Sequence, residues 1–319
     1  MVDPQARALL DLMVAKGIPP THTLTPEQAR IFYRDRRFTT QPEPRAMAEI
    51  RNLSAPGPHG DIPLRLYRPK GASSSLATPA PVLVYYHGGG WVIGDLDTHE
   101  SLCTQLADDS GCVVVAVDYR MGPEHRFPSA VDDCIAATRW LQAQAGTLGL
   151  DAARMAVGGD SAGGNLAAVV SLALRDVPDG APPLKLQLLI YPATDMRMTA
   201  PSHTSNGQGY MLTRDTITYF RSHYIDEPAL YDDWRCSPLL HADLSKLPPA
   251  LVLTAGFDPL RDEGLQYADA LSKAGTPCQY LCFERQIHGF ITMGRVLAEA
   301  HTAIGLCVLA LKRELGSSG

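Results

Sequence analysis

The stretch that decides the fold is RMAVGGDSAGGNLAAVV, residues 154–170. Residues 155–157 are apolar like a short buried strand, and residues 165–174 have the apolar content of a buried helix. The pentapeptide G-x-S-x-G between them is centred on Ser161. A serine on so sharp a turn exposes its hydroxyl under backbone strain, and its glycine neighbours avoid a clash. The pattern predicts a nucleophilic serine, and the alternative is a structural glycine turn.

Strands and helices alternate on both sides of this turn. Five further apolar runs read as strands buried on both faces: residues 82–86, 112–119, 186–191, 250–255 and 278–283. Segments 47–52 and 62–68 alternate instead, like an antiparallel pair. Continuous apolar strands separated by helical segments are typical of a mostly parallel sheet covered on both faces. The expected class is therefore α/β.

We expect four segments along the chain. Residues 1–45 read as two helices, opened by Asp3 and by a capping box at Thr25. Residues 46–193 and 228–319 form the two parts of the α/β core. Residues 194–227 are too long for a plain loop and contain an amphipathic stretch, so they read as an insertion. We expect this insertion and the N-terminal helices to form a helical cap over the sheet.

Composition excludes several classes of partner. The chain has 319 residues, is 45% hydrophobic and 19% charged, and carries a net charge of −6. These values favour a globular protein and do not favour binding to nucleic acid or stable association with a membrane. The first residues lack the pattern of a secretory signal. The seven cysteines contain no C-x-x-C pair and no metal-ligand spacing, so we expect free thiols, a cytoplasmic location and no metal.

A nucleophilic serine needs a base to accept its proton and an acid to orient that base. The expected base is His288, just beyond the last strand and followed by a glycine, whereas His301 lies in a helical run. The expected acid is Asp258, which directly follows the strand ALVLTAGF. Its competitors, Asp262 and Glu263, lie at a helix start. Acidic side chains are common there because they interact favourably with the positive end of the helix dipole.

The transition state also needs hydrogen-bond donors for its oxyanion. The sequence HGGGW, residues 87–91, follows a strand, and its glycines allow backbone N–H groups to turn toward one point. The predicted donors are the N–H groups of Gly88, Gly89 and Ala162. A phosphate-binding loop is the alternative, but its glycine spacing is absent. We interpret His87 as a structural residue of this loop.

These motifs together resemble the hormone-sensitive-lipase-like esterases, bacterial family IV of the α/β-hydrolase fold. The matching stretches span residues 82–290 and include YYHGGGWVIGDLDTHE, VAVDYRMGPEHRFPSAVDD, GGDSAGGNLAA, LLIYPATD, TAGFDPLRDEG and HGF. The resemblance implies Ser161 as nucleophile, Asp258 as acid and His288 as base, with Gly88, Gly89 and Ala162 as oxyanion donors. It also implies a cap over a short acyl pocket. We assign no chemical step to Asp160, and we expect Glu124 and His125 to form a buried corner.

The expected activity is hydrolysis of short- to medium-chain acyl esters through an acyl-enzyme, without metal or organic cofactor. An amidase, a carbamate hydrolase or a lactonase with the same triad remains an alternative. A non-catalytic receptor of this fold is a third reading, although receptors of this kind lack the histidine that is present here as His288. An exposed edge at the last strand would allow a homodimer.

Overall fold

The fold is built around an eight-stranded β-sheet. The computed structural model describes residues 1–73, 75, 77–176 and 180–316. The last three residues of the segment 228–319 therefore lie outside the described residues. Within the described ranges the sheet has eight strands: β1 (Glu49–Gly57), β2 (Gly60–Arg68), β3 (Ala80–Tyr86), β4 (Val113–Val117), β5 (Leu150–Asp160), β6 (Leu186–Ile190), β7 (Ala250–Phe257) and β8 (Cys278–Ile287).

The sheet is mostly parallel, as predicted. Its spatial order is β1-β2-β4-β3-β5-β6-β7-β8. The β1–β2 and β2–β4 pairs are antiparallel, and every other pair is parallel. All five residues of β4 are buried, because helices cover both faces of the sheet and leave no polar face on this strand. Parallel order brings the carboxyl ends of β3, β5, β7 and β8 to one edge, where a site can assemble.

The helices of the described ranges cover the two faces of this sheet or lie in segments 1–45 and 194–227. They are α1 (Pro4–Ala15), α2 (Pro26–Thr40), α3 (Glu100–Ser110), α4 (Ser129–Gln144), α5 (Ala162–Ala173), α6 (Ser202–Ser205), α7 (Arg214–Tyr224), α8 (Arg261–Lys273) and α9 (Glu299–Leu315). Apolar residues of α4, α5 and α8 pack in one core cluster with the sheet, and those of α1, α3 and α9 pack in a second. The predicted caps are confirmed: Asp3 accepts hydrogen bonds from the first turn of α1, and Thr25 forms a complete capping box.

The last helix starts later than its sequence pattern predicts. The apolar pattern indicates a helix over residues 293–315, but α9 begins at Glu299. Two backbone N–H groups before it bond to other segments: that of Arg295 donates to Thr40 O at 3.1 Å, and that of Ala298 to Gln5 Oε1 at 2.9 Å. These long-range bonds hold the segment against α1 and the end of α2 instead of extending the helix.

The expected buried corner at Glu124 and His125 is wrong. Both residues are exposed. Two nitrogens of the Arg30 guanidinium in α2 bond to the Glu124 carboxylate at 2.8 and 2.6 Å, and its NH2 group also donates to Gly122 O at 2.8 Å. Glu124 therefore ties α2 to the loop after β4, a long-range contact that the local sequence does not indicate.

Candidate active site

Ser161 lies on the strained turn between β5 and α5. Its φ is 56° and its ψ is −116°, so this non-glycine residue occupies the left-handed half of backbone space, as the pentapeptide predicts. The turn is also crowded. A Cβ on Gly163 would lie 1.8 Å from the Tyr86 backbone oxygen, so glycine is required there by close approach to β3.

This crowding gives a prediction about stability. We expect Gly163→Ala to destabilise the fold by about 3 kcal/mol, because the added methyl collides with backbone that cannot rotate away. Gly305→Ala in α9 is the matched control, since a Cβ there meets no atom within 4 Å and alanine favours a helix. Urea unfolding followed by circular dichroism measures both. An unchanged midpoint for Gly163→Ala would contradict the described packing of the turn.

The three residues of the predicted triad are brought together by their strands. With the proton on Nδ1, His288 donates to Asp258 Oδ2 at 2.6 Å, and its Nε2 lies 3.0 Å from Ser161 Oγ. Asp258 is fully buried, and its other oxygen accepts the Leu260 N–H at 2.8 Å. The chain of contacts runs from a buried carboxylate through an imidazole to a hydroxyl, which is the arrangement that activates a serine.

The competing residues have other partners. Asp262 bonds to its neighbour Arg261 at 2.7 Å, and Glu263 bonds to His203 at 2.5 Å. His301 lies on α9, and its Nε2 contacts Gly294 O at 3.0 Å. Among the described residues, the carboxylate that bonds to His288 is that of Asp258.

The glycine loop after β3 approaches Ser161, but one of its N–H groups is already used. Gly88 N–H donates to Asp160 Oδ1 at 3.0 Å and lies 3.3 Å from His99 Nε2. The sequence predicts Gly88 as an oxyanion donor, but in the structure its N–H is bound to Asp160. The N–H groups of Gly89, Gly90 and Ala162 have no hydrogen-bond partner within the described part of the chain. Gly89 and Gly90 both have positive φ, 125° and 59°, which turns the loop after Gly88.

The Asp160 side chain is hydrogen-bonded to this glycine loop. Besides Gly88 N–H, its carboxylate accepts the Tyr85 hydroxyl at 2.8 Å and faces His99 Nε2 at 3.2 Å. Burial raises the pKa of this carboxyl, but His99 and the Tyr85 hydrogen bond more than offset burial, so the pKa of Asp160 lies below its usual value. The ionised Asp160 side chain therefore anchors the glycine loop, a role that its position beside Ser161 left open in the sequence.

His87 is structural, as predicted. Burial lowers the pKa of His87 to about 4, and the neighbouring His99 acts in the same direction. Its ring stacks on Tyr119 at a centroid distance of 4.3 Å, and Nδ1 lies 2.8 Å from Gly88 O. A neutral, stacked imidazole supports the loop and leaves His288 as the histidine in contact with Ser161.

A cavity of about 110 Å³ opens over Ser161 and His288. The N-terminal segment contributes Tyr33 and Arg36 to its wall. Segment 194–227 contributes most of the apolar lining: Met196, Met198, Met211, Leu212, Ile217 and Phe220. The site therefore has an apolar, adaptable wall on one side and the polar groups around Ser161 on the other.

The described ranges also bear on metal binding and on membrane insertion. No group of three or more His, Cys, Asp or Glu side chains there is arranged to hold a metal ion. Each helix in the described ranges is too short or too polar to cross a membrane.

Known proteins resemble the chain over nearly its whole length. A family model for the α/β-hydrolase fold matches residues 83–292. The carboxylic ester hydrolase LipN of Mycobacterium tuberculosis (strain ATCC 25618 / H37Rv) is 43% identical over 86% of this chain and 73% of its own. The ethyl acetate hydrolase of Pseudomonas putida is 40% identical over 98% and 99% of the two chains.

Solved structures similar to this chain include ester hydrolases, as the sequence relatives do. An ester hydrolase from the metagenome of Lake Arreo, solved with a bipyridine phosphonate derivative, superposes with a TM-score of 0.94 at 42% identity. The match covers 99% of this chain and all of that one. The chain therefore belongs to the hormone-sensitive-lipase-like esterase family of the α/β-hydrolase fold.

Proposed function

We propose that the chain hydrolyses carboxylic esters with short- to medium-chain acyl groups, using Ser161 as nucleophile, His288 as base and Asp258 as the orienting acid. The observation that carries this proposal is the continuous chain of contacts Ser161 Oγ–His288 Nε2, 3.0 Å, and His288 Nδ1–Asp258 Oδ2, 2.6 Å. The relatives named as ester hydrolases support the choice of ester bonds.

The reaction follows from this order of groups. His288 Nε2 takes the Ser161 proton as the oxygen attacks the ester carbonyl, and Asp258 stabilises the imidazolium that forms. The tetrahedral intermediate collapses when the alcohol leaves with the proton from His288. Water then attacks the acyl-enzyme with His288 again as base, which releases the acid and restores the Ser161 hydroxyl.

We assign the oxyanion to the N–H groups of Gly89, Gly90 and Ala162. Two of the three predicted donors are kept, and Gly90 replaces Gly88, whose N–H is bound to Asp160. Hydrogen-bond donors for an oxyanion are worth most when nothing must move during the reaction. The buried Asp160 and His99 side chains supply that rigidity beneath Gly88.

We also propose that residues 1–45 and 194–227 form the cap, and that 46–193 and 228–319 are the core. Contact between the two cap segments supports this: His22 Nδ1 lies 3.3 Å from Thr216 Oγ1 in α7. Phe220 of α7 lies directly against the glycine loop, where a Cβ on Gly90 would be 2.2 Å from its ring. Substrate must therefore bind between cap side chains and the oxyanion donors.

The small cavity predicts a limit on acyl length. We expect kcat/KM on p-nitrophenyl esters to be highest for short to medium acyl chains and at least roughly tenfold lower for palmitoyl, because the surplus methylenes would extend beyond the residues that line the cavity. Steady-state rates across a graded series, measured below the micelle concentration of each ester, check this. A clear maximum at palmitoyl would contradict the assignment of acyl size.

Trapping with an organophosphate is the direct test of the proposed chemistry. An activated serine reacts where an ordinary serine reacts poorly, so mass spectrometry should find one adduct, on Ser161. A full-length protein that hydrolyses no ester and carries no adduct would refute the proposal and favour a receptor. Rates on an ester and an amide with the same acyl group separate the esterase from an amidase.

Two further properties belong to this proposal. The strand β8 alternates half-buried and exposed residues over Cys278–Cys282 and lies at the edge of the sheet described, so we propose that this part of it pairs with a second copy as a homodimer. All seven cysteines are free thiols, which fits a reducing, cytoplasmic environment. Analytical ultracentrifugation tests the first statement, and cell fractionation tests the second.

A further inference from the structure

A set of buried hydrogen bonds joins the short helix α6 to the loop that carries Asp258. Asn206, directly after α6, donates from Nδ2 to Gly256 O at 3.1 Å and to Asp258 O at 3.2 Å. Ser202 Oγ donates to Pro259 O at 2.6 Å and accepts the Asp262 N–H at 3.1 Å. The insertion therefore bonds to the main chain on both sides of Asp258 and to Asp258 itself.

A second buried contact joins the residues next to Ser202 and Asp262 in the chain. His203 of α6 and Glu263 of α8 are both 1% exposed, and His203 Nε2 lies 2.5 Å from Glu263 Oε2. The other carboxyl oxygen of Glu263 accepts the N–H groups of Thr194 and Asp195 at 2.7 and 3.3 Å. Glu263 thus connects α8, α6 and the first residues of the insertion.

These polar groups are costly to bury unless they are paired. A buried hydroxyl, amide or carboxylate that loses its partner destabilises the fold by the full free energy of its desolvation. Three polar side chains within five residues of the insertion, Ser202, His203 and Asn206, each bond to β7 or to the loop or helix that follows it. This concentration fixes the position of the loop relative to the insertion more tightly than apolar contacts would.

The same segment also faces the substrate side. His203 lines the cavity over Ser161, together with Met198 and Met211 on either side of it in the chain. The segment 202–206 therefore contacts the cavity through His203 and the loop that bears the acid through Ser202 and Asn206.

We propose that Ser202, His203 and Asn206, with Glu263, form an acid-loop clamp that positions Asp258 for its bond to His288. The proposal rests on the proposed triad. In it the insertion has two roles: it lines the substrate cavity, and it sets the geometry of the catalytic acid. Asn206 is a positioning residue, because it acts on Asp258 through the main chain: within the described ranges its side-chain hydrogen bonds go to Gly256 O and Asp258 O and not to Ser161 or His288. A misplacement of about 1 Å in such a group costs on the order of 10²-fold in rate.

The test is Asn206→Ala, with rates normalised to the number of sites titrated by an organophosphate. We expect kcat to fall on the order of 10²-fold while KM for a short ester changes less than about threefold, because the cavity wall is retained. We also expect the downfield proton resonance of the His288–Asp258 bond to shift or broaden, which a purely structural role would not cause. Gln208→Ala, an exposed amide two residues away, is the matched control and should keep parental kinetics.

Ser202→Ala keeps the test decisive if Asn206→Ala fails to fold. It removes a smaller group and should lower kcat about tenfold with the same spectroscopic change. Parental kcat and an unchanged resonance in whichever variant folds would overturn the clamp. This failure is distinguishable from failure of the triad, since Ser161→Ala would still be inactive; activity in Ser161→Ala would instead refute the proposed function.

Discussion

Ser161→Ala is expected to lose on the order of 10⁶ in kcat. The hydroxyl that it removes is the group in contact with His288 Nε2, and no acyl-enzyme can form without it. The fold should be intact. Alanine lacks only the Oγ atom, and it can be held at the strained φ of 56° as serine is, because the turn around it is unchanged.

The measurement is turnover of p-nitrophenyl butyrate at saturating concentration, with circular dichroism and thermal unfolding to verify the fold. Ser54→Ala is the matched control, since Ser54 is exposed on β1 at the far edge of the sheet. Turnover by Ser161→Ala within tenfold of the parent would remove Ser161 as the nucleophile, and with it the proposed mechanism.

Much of this site can be predicted from the sequence because its parts are local. The strained turn is predicted by one pentapeptide, the acid directly follows an apolar strand, and the base lies just beyond the last strand. In a parallel sheet those strand ends meet at one edge, so the approach of Ser161, Asp258 and His288 follows from the fold class. The buried strand β4 is recognisable for a similar reason, since its five apolar residues are next to one another.

Other parts depend on partners that are far away in the chain. The bond that occupies Gly88 N–H comes from Asp160, 72 residues later, and no local pattern indicates it. The exposed Glu124 has its partner, Arg30 of α2, 94 residues before it. The contacts of Asn206 and His203 with the acid loop and with Glu263 span 50 to 60 residues. Polar side chains of this kind choose their partners only after the elements have packed.

The position of Glu263 in the first turn of α8 does not by itself indicate that its side chain is buried. An acid in the first turn of α8 reads as a partner of the helix dipole. Glu263 is instead 1% exposed and bonded to His203, while burial raises the pKa of its carboxyl and the His203 bond opposes that rise. The adjacent Asp262 is less buried and bonds to Arg261. Helical geometry separates these neighbours: they point about 100° apart, so one faces the core and the other faces outward.

The same geometry makes the choice of catalytic acid testable. Asp258→Asn is expected to lower kcat on the order of 10⁴-fold. The neutral amide cannot stabilise the imidazolium. Its N–H group would also face His288 Nδ1 and favour the tautomer that carries the proton on Nε2. In that tautomer Nε2 cannot accept the proton of Ser161. The variant should fold, because asparagine has the shape of aspartate and can still accept the Leu260 N–H through its carbonyl oxygen.

Asp262→Asn is the matched comparison, four residues away and with the same change of side chain. It is expected to alter kcat by less than about threefold, because its carboxylate bonds to Arg261 and a partly exposed ion pair of this kind contributes little. Both variants are measured at one pH with sites titrated by an organophosphate. The reverse order of effects would transfer the orienting role to Asp262. Equal and small effects would mean that His288 needs no carboxylate, which its 2.6 Å contact with a fully buried Asp258 argues against.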